Sequence, residues 1–153
     1  MTTATQARQA VRSRMEAGNI NLDGTAVPLR WPNEAGDPLP DDPAPFVYTE
    51  FMVESARVAG FGSGRGGNLH RNTCRIEGYA FVPKGWGLDA AEAIAEQVAA
   101  LFRSHRDATI SCFTARVTPG GDGADIAPSG LPSPVSAYFW AGFDVALHFD
   151  QTA

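Results

Sequence analysis

The sequence predicts an α+β fold, a mainly antiparallel mixed sheet of four to five strands with two helices packed on it and long hairpin and loop arms. Two segments carry apolar residues at spacings of three and four, the period of an amphipathic helix. Four long segments alternate apolar with polar residues, the period of a strand with one buried face. With one short strand added, the order is α-β-β-β-α-β-β, which predicts a sheet carrying its helices on one face.

The first helix is predicted over residues 3–17. An apolar stripe runs from Ala4 to Met15 at spacings of three and four, and Gly18 is a typical helix stop. Most members of the stripe are alanine. We therefore expect this helix to pack closely on another surface and to be the less stable of the two.

Strands are predicted at residues 26–31, 46–58, about 71–82, 109–117 and 137–149. Pro28 restricts the short first strand to a sheet edge or a bulge, because proline cannot donate a ladder hydrogen bond. A glycine-rich segment joins the two long strands that follow it. That connection favours a hairpin.

The second helix is predicted over residues 89–104, where a strong apolar stripe runs along the segment. Asp89 followed by Glu92 matches the capping box of a helix N-terminus. The strand at 137–149 has the clearest alternation in the chain, and its apolar face needs a cover. This helix is the natural partner for that face.

The length of 153 residues and mass of 16.2 kDa fit a single domain, residues 1–153. Most of the 16 glycines and 11 prolines are concentrated in three loops, at about residues 32–45, 60–67 and 118–134. The segments between the loops contain few of either residue. The loops are therefore predicted to connect long, regular elements.

Composition excludes several classes of protein. A hydrophobic content of 44% argues against global disorder. No apolar run approaches the ~18 residues of a membrane span, and the N-terminus lacks an apolar signal-peptide core. The formal net charge of −5 argues against a protein that mainly grips phosphate backbones. Cys74 and Cys112 lack metal or redox spacing and are predicted to be buried, reduced thiols.

The string Gly62-Ser63-Gly64-Arg65-Gly66-Gly67 matches the dinucleotide-binding pattern G-x-G-x-x-G. That mechanism needs a helix N-terminus after the glycines to hold the pyrophosphate. Here the following segment has strand periodicity. The glycines are therefore predicted to form the loop of a hairpin, and nucleotide binding is disfavoured.

No other motif nominates a chemical site. His70, His105 and His148 are far apart and have no partner at metal-ligand spacing. Asp122 and Asp125 lack the ordered ligand series of a calcium loop and are predicted to be solvated turn residues. We therefore expect no catalytic residue, no metal site and no cofactor.

Five aromatic residues lie outside the core-facing alternation: Trp31, Tyr79, Trp86, Tyr138 and Trp140. Tyr138 and Trp140 share the polar face of the last strand with Asp144 and Asp150, and acidic neighbours disfavour base stacking. Two interpretations stay open. This face is either a protein interface, where aromatic residues are enriched, or is covered by a second helix such as the N-terminal one.

A distinctive order of features runs along nearly the whole chain, from about Asn21 to Phe149. After the N-terminal helix the features are Trp31-Pro32-Asn33, a Pro/Asp-rich loop, Pro45-Phe46-Val47, Gly60-Phe61-Gly62, Arg71, Arg75, Phe81-Val82-Pro83-Lys84-Gly85-Trp86-Gly87, and a helix with Ala91, Ala95 and Leu101-Phe102. This order resembles the tail-terminator family, the minor tail protein U-like proteins of long-tailed phages and phage-like particles. The glycine-rich loop at 119–134 departs from the family pattern, which leaves its role open.

The resemblance implies a noncatalytic virion protein that assembles in the host cytoplasm. Its subunits would form a homohexameric ring at the head-proximal end of the tail tube, ending tube polymerisation and joining the head. Its partners would be other copies of the chain, the major tail tube protein and the head–tail connector or neck proteins, and DNA would pass through the lumen without specific binding. The candidate interface residues are Phe61, Arg65, Trp86, Tyr138 and Trp140.

Two alternatives compete with this interpretation. A head–tail adaptor or stopper is also a noncatalytic ring protein of the neck. A small enzyme is the other class, and it is disfavoured because no constellation of catalytic residues is found. Particle mass separates an enzyme from a ring, and the capping of tubes or of filled heads separates a terminator from an adaptor.

Overall fold

A computed structural model describes residues 2–34, 38–62, 66–126, 128, 131 and 135–152. Within these residues lie two helices, seven strands and one 3-10 turn. In chain order they are α1 (Ala4–Ala17), β1 (Asn21–Leu22), β2 (Thr25–Ala26), β3 (Leu29–Arg30), β4 (Phe46–Gly60), β5 (Leu69–Pro83), α2 (Leu88–Phe102), β6 (Ser111–Asp122), the 3-10 turn Gly123–Asp125, and β7 (Tyr138–Thr152). The predicted α+β class is confirmed.

The main sheet has five strands in the order β3-β4-β5-β7-β6. Only β3 runs parallel to its neighbour, and the other three pairings are antiparallel. A mainly antiparallel mixed sheet is therefore confirmed. The short predicted strand at 26–31 is divided: β2 pairs with β1 in a separate hairpin, and β3 adds to the main sheet at its edge.

The predicted hairpin is formed by β4 and β5, whose register runs from Phe46 opposite Phe81 to Gly60 opposite Leu69. Both strands have 15 residues, so the hairpin is long. β7 pairs with β5 over its whole length and makes β5 a central strand. The register between β4 and β5 shifts twice, at Val53/Ser55 and at Val58/Gly60.

β6 is longer than predicted. Its expected range, 109–117, becomes Ser111–Asp122, so part of the loop expected from residue 118 is strand. Pro119 lies within it, which is tolerated because β6 is an edge strand and its register with β7 shifts between Thr118 and Gly121. Because proline and glycine are typical of loops, the sequence predicted the end of this strand too early.

Both helices pack on one face of the sheet, where they enclose the larger hydrophobic core. Its buried members include Ala7, Val11 and Met15 of α1, Ile94, Val98 and Phe102 of α2, and Val47, Ile76, Val145 and Leu147 of the strands. The Thr49 hydroxyl also points into this side and donates to the sulfur of Met15 at 3.7 Å. Two helices packed on the sheet are thus confirmed, and α1 and α2 share the same face.

The two helices begin differently. In α1 the Thr3 hydroxyl accepts from the backbone N–H of Gln6, whose side chain accepts in turn from Thr3, which completes a capping box. The capping box predicted for α2 is wrong. Gly87, with φ of 92°, precedes the helix, and Asp89 lies inside its first turn without a capping hydrogen bond. A carboxylate there still interacts favourably with the helix dipole.

Candidate assembly surfaces

The sheet face opposite the helices carries a cluster of aromatic rings. Alternate residues of a strand point to opposite faces, so Phe46 and Tyr48 lie on this side while Val47 lies on the helix side. The aromatic cluster consists of Phe46, Tyr48, Tyr79, Phe81, Tyr138 and Trp140. Its rings meet by stacking, at 4.7 Å between Phe46 and Phe81, and edge to face, at 5.1 Å between Phe46 and Tyr138.

The chain's own loops cover the aromatic cluster. Val135 is buried in it, and Leu39, Ile126 and Leu131 pack around it. Of the two interpretations left open by the sequence, cover by the N-terminal helix is wrong, because α1 packs on the other face beside α2. The glycine- and proline-rich connections therefore serve as the cover.

This arrangement places two of the predicted interface residues inside the subunit. Tyr138 is only 3% exposed. Trp140 is half-buried, lies edge-on to Tyr79 at 5.0 Å and donates from Nε1 to the carbonyl of Asp122 at 3.3 Å. Both side chains are held by contacts within one chain and do not form an open surface.

Beyond the aromatic cluster, the same face carries a ladder of ion pairs. Arg75 lies within 4 Å of carboxylates on three strands: Glu54 at 3.1 Å, Glu77 at 3.0 Å and Asp144 at 3.7 Å. Arg116 on β6 reaches Asp144 from the other side at 3.1 Å. The face is thus divided into a covered aromatic half and a solvated, charged half.

Arg71 and Asp150 form the last rung of this ladder. The guanidinium donates two parallel hydrogen bonds to the carboxylate, at 2.9 and 2.8 Å. These hydrogen bonds lower the pKa of Asp150, more than burial raises it. Burial and the nearby Arg71 lower the pKa of His148 on the same strand, whose ring lies 4.6 Å from the exposed ring of Phe113.

The described residues contain no group of three or more histidine, cysteine or acidic side chains that could hold a metal ion. The thiols of Cys74 and Cys112 are buried and unpaired by disulfide, and burial raises the pKa of each to about 11. Thiols with such pKa values are poor nucleophiles at neutral pH. The segment after the glycine-rich string is strand β5, so the helix that a dinucleotide site needs does not follow it.

One flank of the sheet combines α1 with the outer side of β4, and we call it the basic flank. β3 pairs with β4 only at Val47 and Tyr48, and from Thr49 onward no other strand in the described part of the chain pairs there. A groove of about 460 Å³ separates α1 from this edge. Its lining includes the cations Arg8 and Arg12, the carboxylate of Glu34, and the rings of Trp31 and Phe51.

The opposite flank combines α2 with β6, and we call it the acidic flank. β6 ends the sheet among the described strands. Its outer side is bridged only at its start, between Ser111 and Arg106, and no described strand pairs with the rest of that side. An open groove of about 670 Å³ runs between helix and strand. Its apolar lining includes Leu88, Ala93, Val117, Pro119 and Phe139, and its acidic lining consists of Asp89, Glu92 and Glu96.

Two other predicted interface residues are exposed. Phe61, at the turn of the β4–β5 hairpin, is 88% exposed, and Trp86, in the turn before α2, is 53% exposed. Arg65 lies outside the described residues. Sequence reasoning missed the two flanks, because their edges become visible only when the strand order is known.

No known protein-family model matches the chain, and no curated protein matches it. Among the solved structures that are similar to the chain is one with a TM-score of 0.57 and 13% sequence identity, over 96% of each chain. At that identity the likeness shows the fold alone. Among the described residues, no helix is both long and apolar enough to cross a membrane.

Proposed function

We propose that the chain is the tail-terminator subunit of a long-tailed phage or phage-like particle. In this role it forms a homohexameric ring at the head-proximal end of the tail tube, ends tube polymerisation and joins the tube to the neck. The proposal begins from the sequence resemblance between about Asn21 and Phe149. The structural observation that supports it best is the pair of unpartnered, dissimilar flanks on opposite edges of one sheet.

Dissimilar flanks favour a ring. When a patch on one copy binds a different patch on the next copy, the resulting pair still has one free patch of each kind, so further copies can add. Such a head-to-tail contact closes into a cyclic oligomer or continues as an open helix. A tail terminator needs the closed form, because its ring must match the end of a tube.

The charge of the chain suits a ring around DNA. Each subunit has a formal net charge of −5. A lumen built from acidic subunits repels phosphate, so DNA can pass through without being held.

The first test measures mass and shape. The purified full chain is expected to form rings of six times the 16.2 kDa subunit mass by multi-angle light scattering, with a ring outline in negative-stain electron microscopy. A chain that stays monomeric across micromolar to millimolar concentrations contradicts the proposal.

The second test identifies the position of the ring in the particle. Rings are mixed with polymerising tail tube protein from the same particle, and separately with DNA-filled heads. A terminator stops tube growth and is seen at one tube end. Rings that bind only to filled heads contradict the terminator role and indicate an adaptor or stopper.

A further inference from the structure

We propose that the basic flank of one copy binds the acidic flank of the next, with Arg8 facing Asp89 and Glu92 across the contact. The inference rests on the proposed ring for the arrangement of copies. It goes further by naming the two surfaces and the charges that orient them.

The two helices that border the flanks have opposite charge. α1 contains Arg8, Arg12, Arg14 and Glu16, a formal charge of +2, while α2 contains Asp89, Glu92 and Glu96, a formal charge of −3. Each helix lies beside a different open edge of the sheet. One subunit therefore presents positive charge on one side and negative charge on the other.

Not all cationic side chains of α1 are available to bind a partner. Arg12 bonds Glu16 and Glu34, and Arg14 donates to the carbonyl of Leu101. Arg8 is exposed, lines the groove and makes no ion pair with any other described residue. Among the cations of α1, Arg8 is thus the one that the basic flank offers to a partner.

The acidic flank has carboxylates available to pair with Arg8. Glu96 pairs with Arg103. Asp89 and Glu92 line the groove and, among the residues that the structure describes, neither has an ion-pair partner. Two carboxylates on one copy and one guanidinium on the next are therefore available to form ion pairs across the contact.

Apolar surface between the charges supplies the driving force. Val53 on the basic flank is 45% exposed, and Leu88 on the acidic flank is 45% exposed beside Val117, Pro119 and Phe139. Burying such side chains at a contact contributes roughly 25 cal/mol per Å² before the costs of association. The charges then set direction, because a two-fold pairing of like flanks would bring Arg8 against Arg8.

Backbone pairing between the two edges is limited. β4 has register shifts at Val53/Ser55 and Val58/Gly60. β6 also has two, at Cys112/Thr114 and at Thr118/Gly121, where Pro119 lies. Bulges and proline interrupt a continuous ladder between edges. The contact is therefore made mainly by side chains, which makes it sensitive to single charge reversals.

The test uses reversals of charge in the full chain. Arg8→Glu and Glu92→Arg, made separately, are each expected to raise the midpoint concentration of ring assembly at least about tenfold, since like charges then face each other. The double variant restores opposite charges and is expected to assemble within about threefold of the wild type. Asp125→Arg, an exposed change in the 3-10 turn at a residue that lines neither groove, is the control and is expected to shift the midpoint less than about twofold.

An equimolar mixture of the two single variants gives a sharper readout. Every contact between unlike variants restores attraction, so the mixture is expected to form rings in which the variants alternate. Native mass spectrometry with one variant isotope-labelled measures the composition. Alternation closes only with an even number of subunits, which also tests the hexamer.

The outcomes separate this inference from the proposed function. Single reversals that fold by circular dichroism and assemble like the wild type overturn the contact and leave the ring intact. Rescue by the double variant and the mixture supports the contact even if the rings fail to cap tail tubes, a failure that overturns the proposed function alone. A wild-type chain that never self-associates overturns both.

Discussion

Gly78 shows how a single residue positions the sheet. It lies at the centre of β5, opposite Thr49 on β4 and Phe143 on β7. A Cβ atom here would lie 2.2 Å from Cζ of Phe143 and 2.4 Å from the carbonyl oxygen of Tyr48. Alternation in the sequence predicts that Gly78 faces the core. Only glycine fits there because Phe143 of β7 lies directly opposite. The sequence of β5 alone does not show which residue of β7 lies opposite position 78.

Gly78→Ala is expected to destabilise the fold by about 1–3 kcal/mol, because the Phe143 ring or the backbone must move. Urea unfolding followed by circular dichroism measures the change. Gly60→Ala is the matched control, since its added Cβ would meet only Leu69 at an ordinary 3.8 Å. Equal stability of the two variants would contradict the packing described at Gly78.

Asp150→Asn tests the ion pair between Asp150 and Arg71. Asp150 is held by Arg71, and its lowered pKa means that the folded state favours the ionised carboxylate. The carboxylate therefore contributes stability above its ordinary pKa of 3.8, and this contribution is lost as the pH falls through the lower folded value. Since both side chains are about one-third exposed, we expect a loss of about 0.5 kcal/mol at pH 7.

Urea titrations at pH 7 and pH 3 measure the effect of Asp150→Asn. The difference from the wild type is expected to shrink at pH 3. Asp42→Asn, at an exposed loop position with no ion pair among the described residues, is expected to change stability at neither pH. A deficit for Asp150→Asn that is as large at pH 3 as at pH 7 would assign it to something other than the ion pair.

At the scale of elements, periodicity predicted both helices and the four long strands, and their ends were predicted less well. Asp89 and Glu92 match a capping box by spacing, yet α2 begins one residue earlier because Gly87 turns the chain into it with positive φ. β6 continues through Pro119, which an edge strand permits. Both errors arise from backbone geometry and strand position, which local sequence patterns do not report.

Thr3→Ala is expected to cost about 1 kcal/mol of stability, because it removes the hydroxyl that caps α1. The measurement is chemical unfolding of the monomer, at a concentration below that expected for assembly of the proposed ring. Thr5→Ala, two residues later on an exposed helical position, keeps the cap and places a better helix former in the first turn. It is expected to be neutral or slightly stabilising, and a loss equal to that of Thr3→Ala would argue against the cap.

At the scale of the molecule, the aromatic face was predicted only in part. The alternation of β7 correctly separates Tyr138 and Trp140 from the helix side. What covers them depends on contacts between distant segments, because Leu39 and Ile126 pack against the same aromatic cluster from two different loops. The acidic and basic flanks likewise need the strand order before they can be recognised.

The charge of the proposed ring predicts its behaviour toward DNA. A ring of six copies at −5 each would carry a formal charge of about −30. At 0.15 M salt, fluorescence anisotropy of a labelled duplex is expected to stay unchanged up to tens of micromolar subunit, whereas a histone control binds it. Binding that strengthens as salt is lowered would contradict a lumen that lets DNA slide freely.

The register shifts of β4 affect how strongly a free subunit aggregates before it binds a partner. A long strand with an open outer side invites extended chains to add to it, which is how fibrils and inclusion bodies start. The shifts at Val53/Ser55 and Val58/Gly60, with charged Arg57 between them, interrupt that template. Under the proposed function, a cell can therefore accumulate free subunits until a growing tube needs one ring of them.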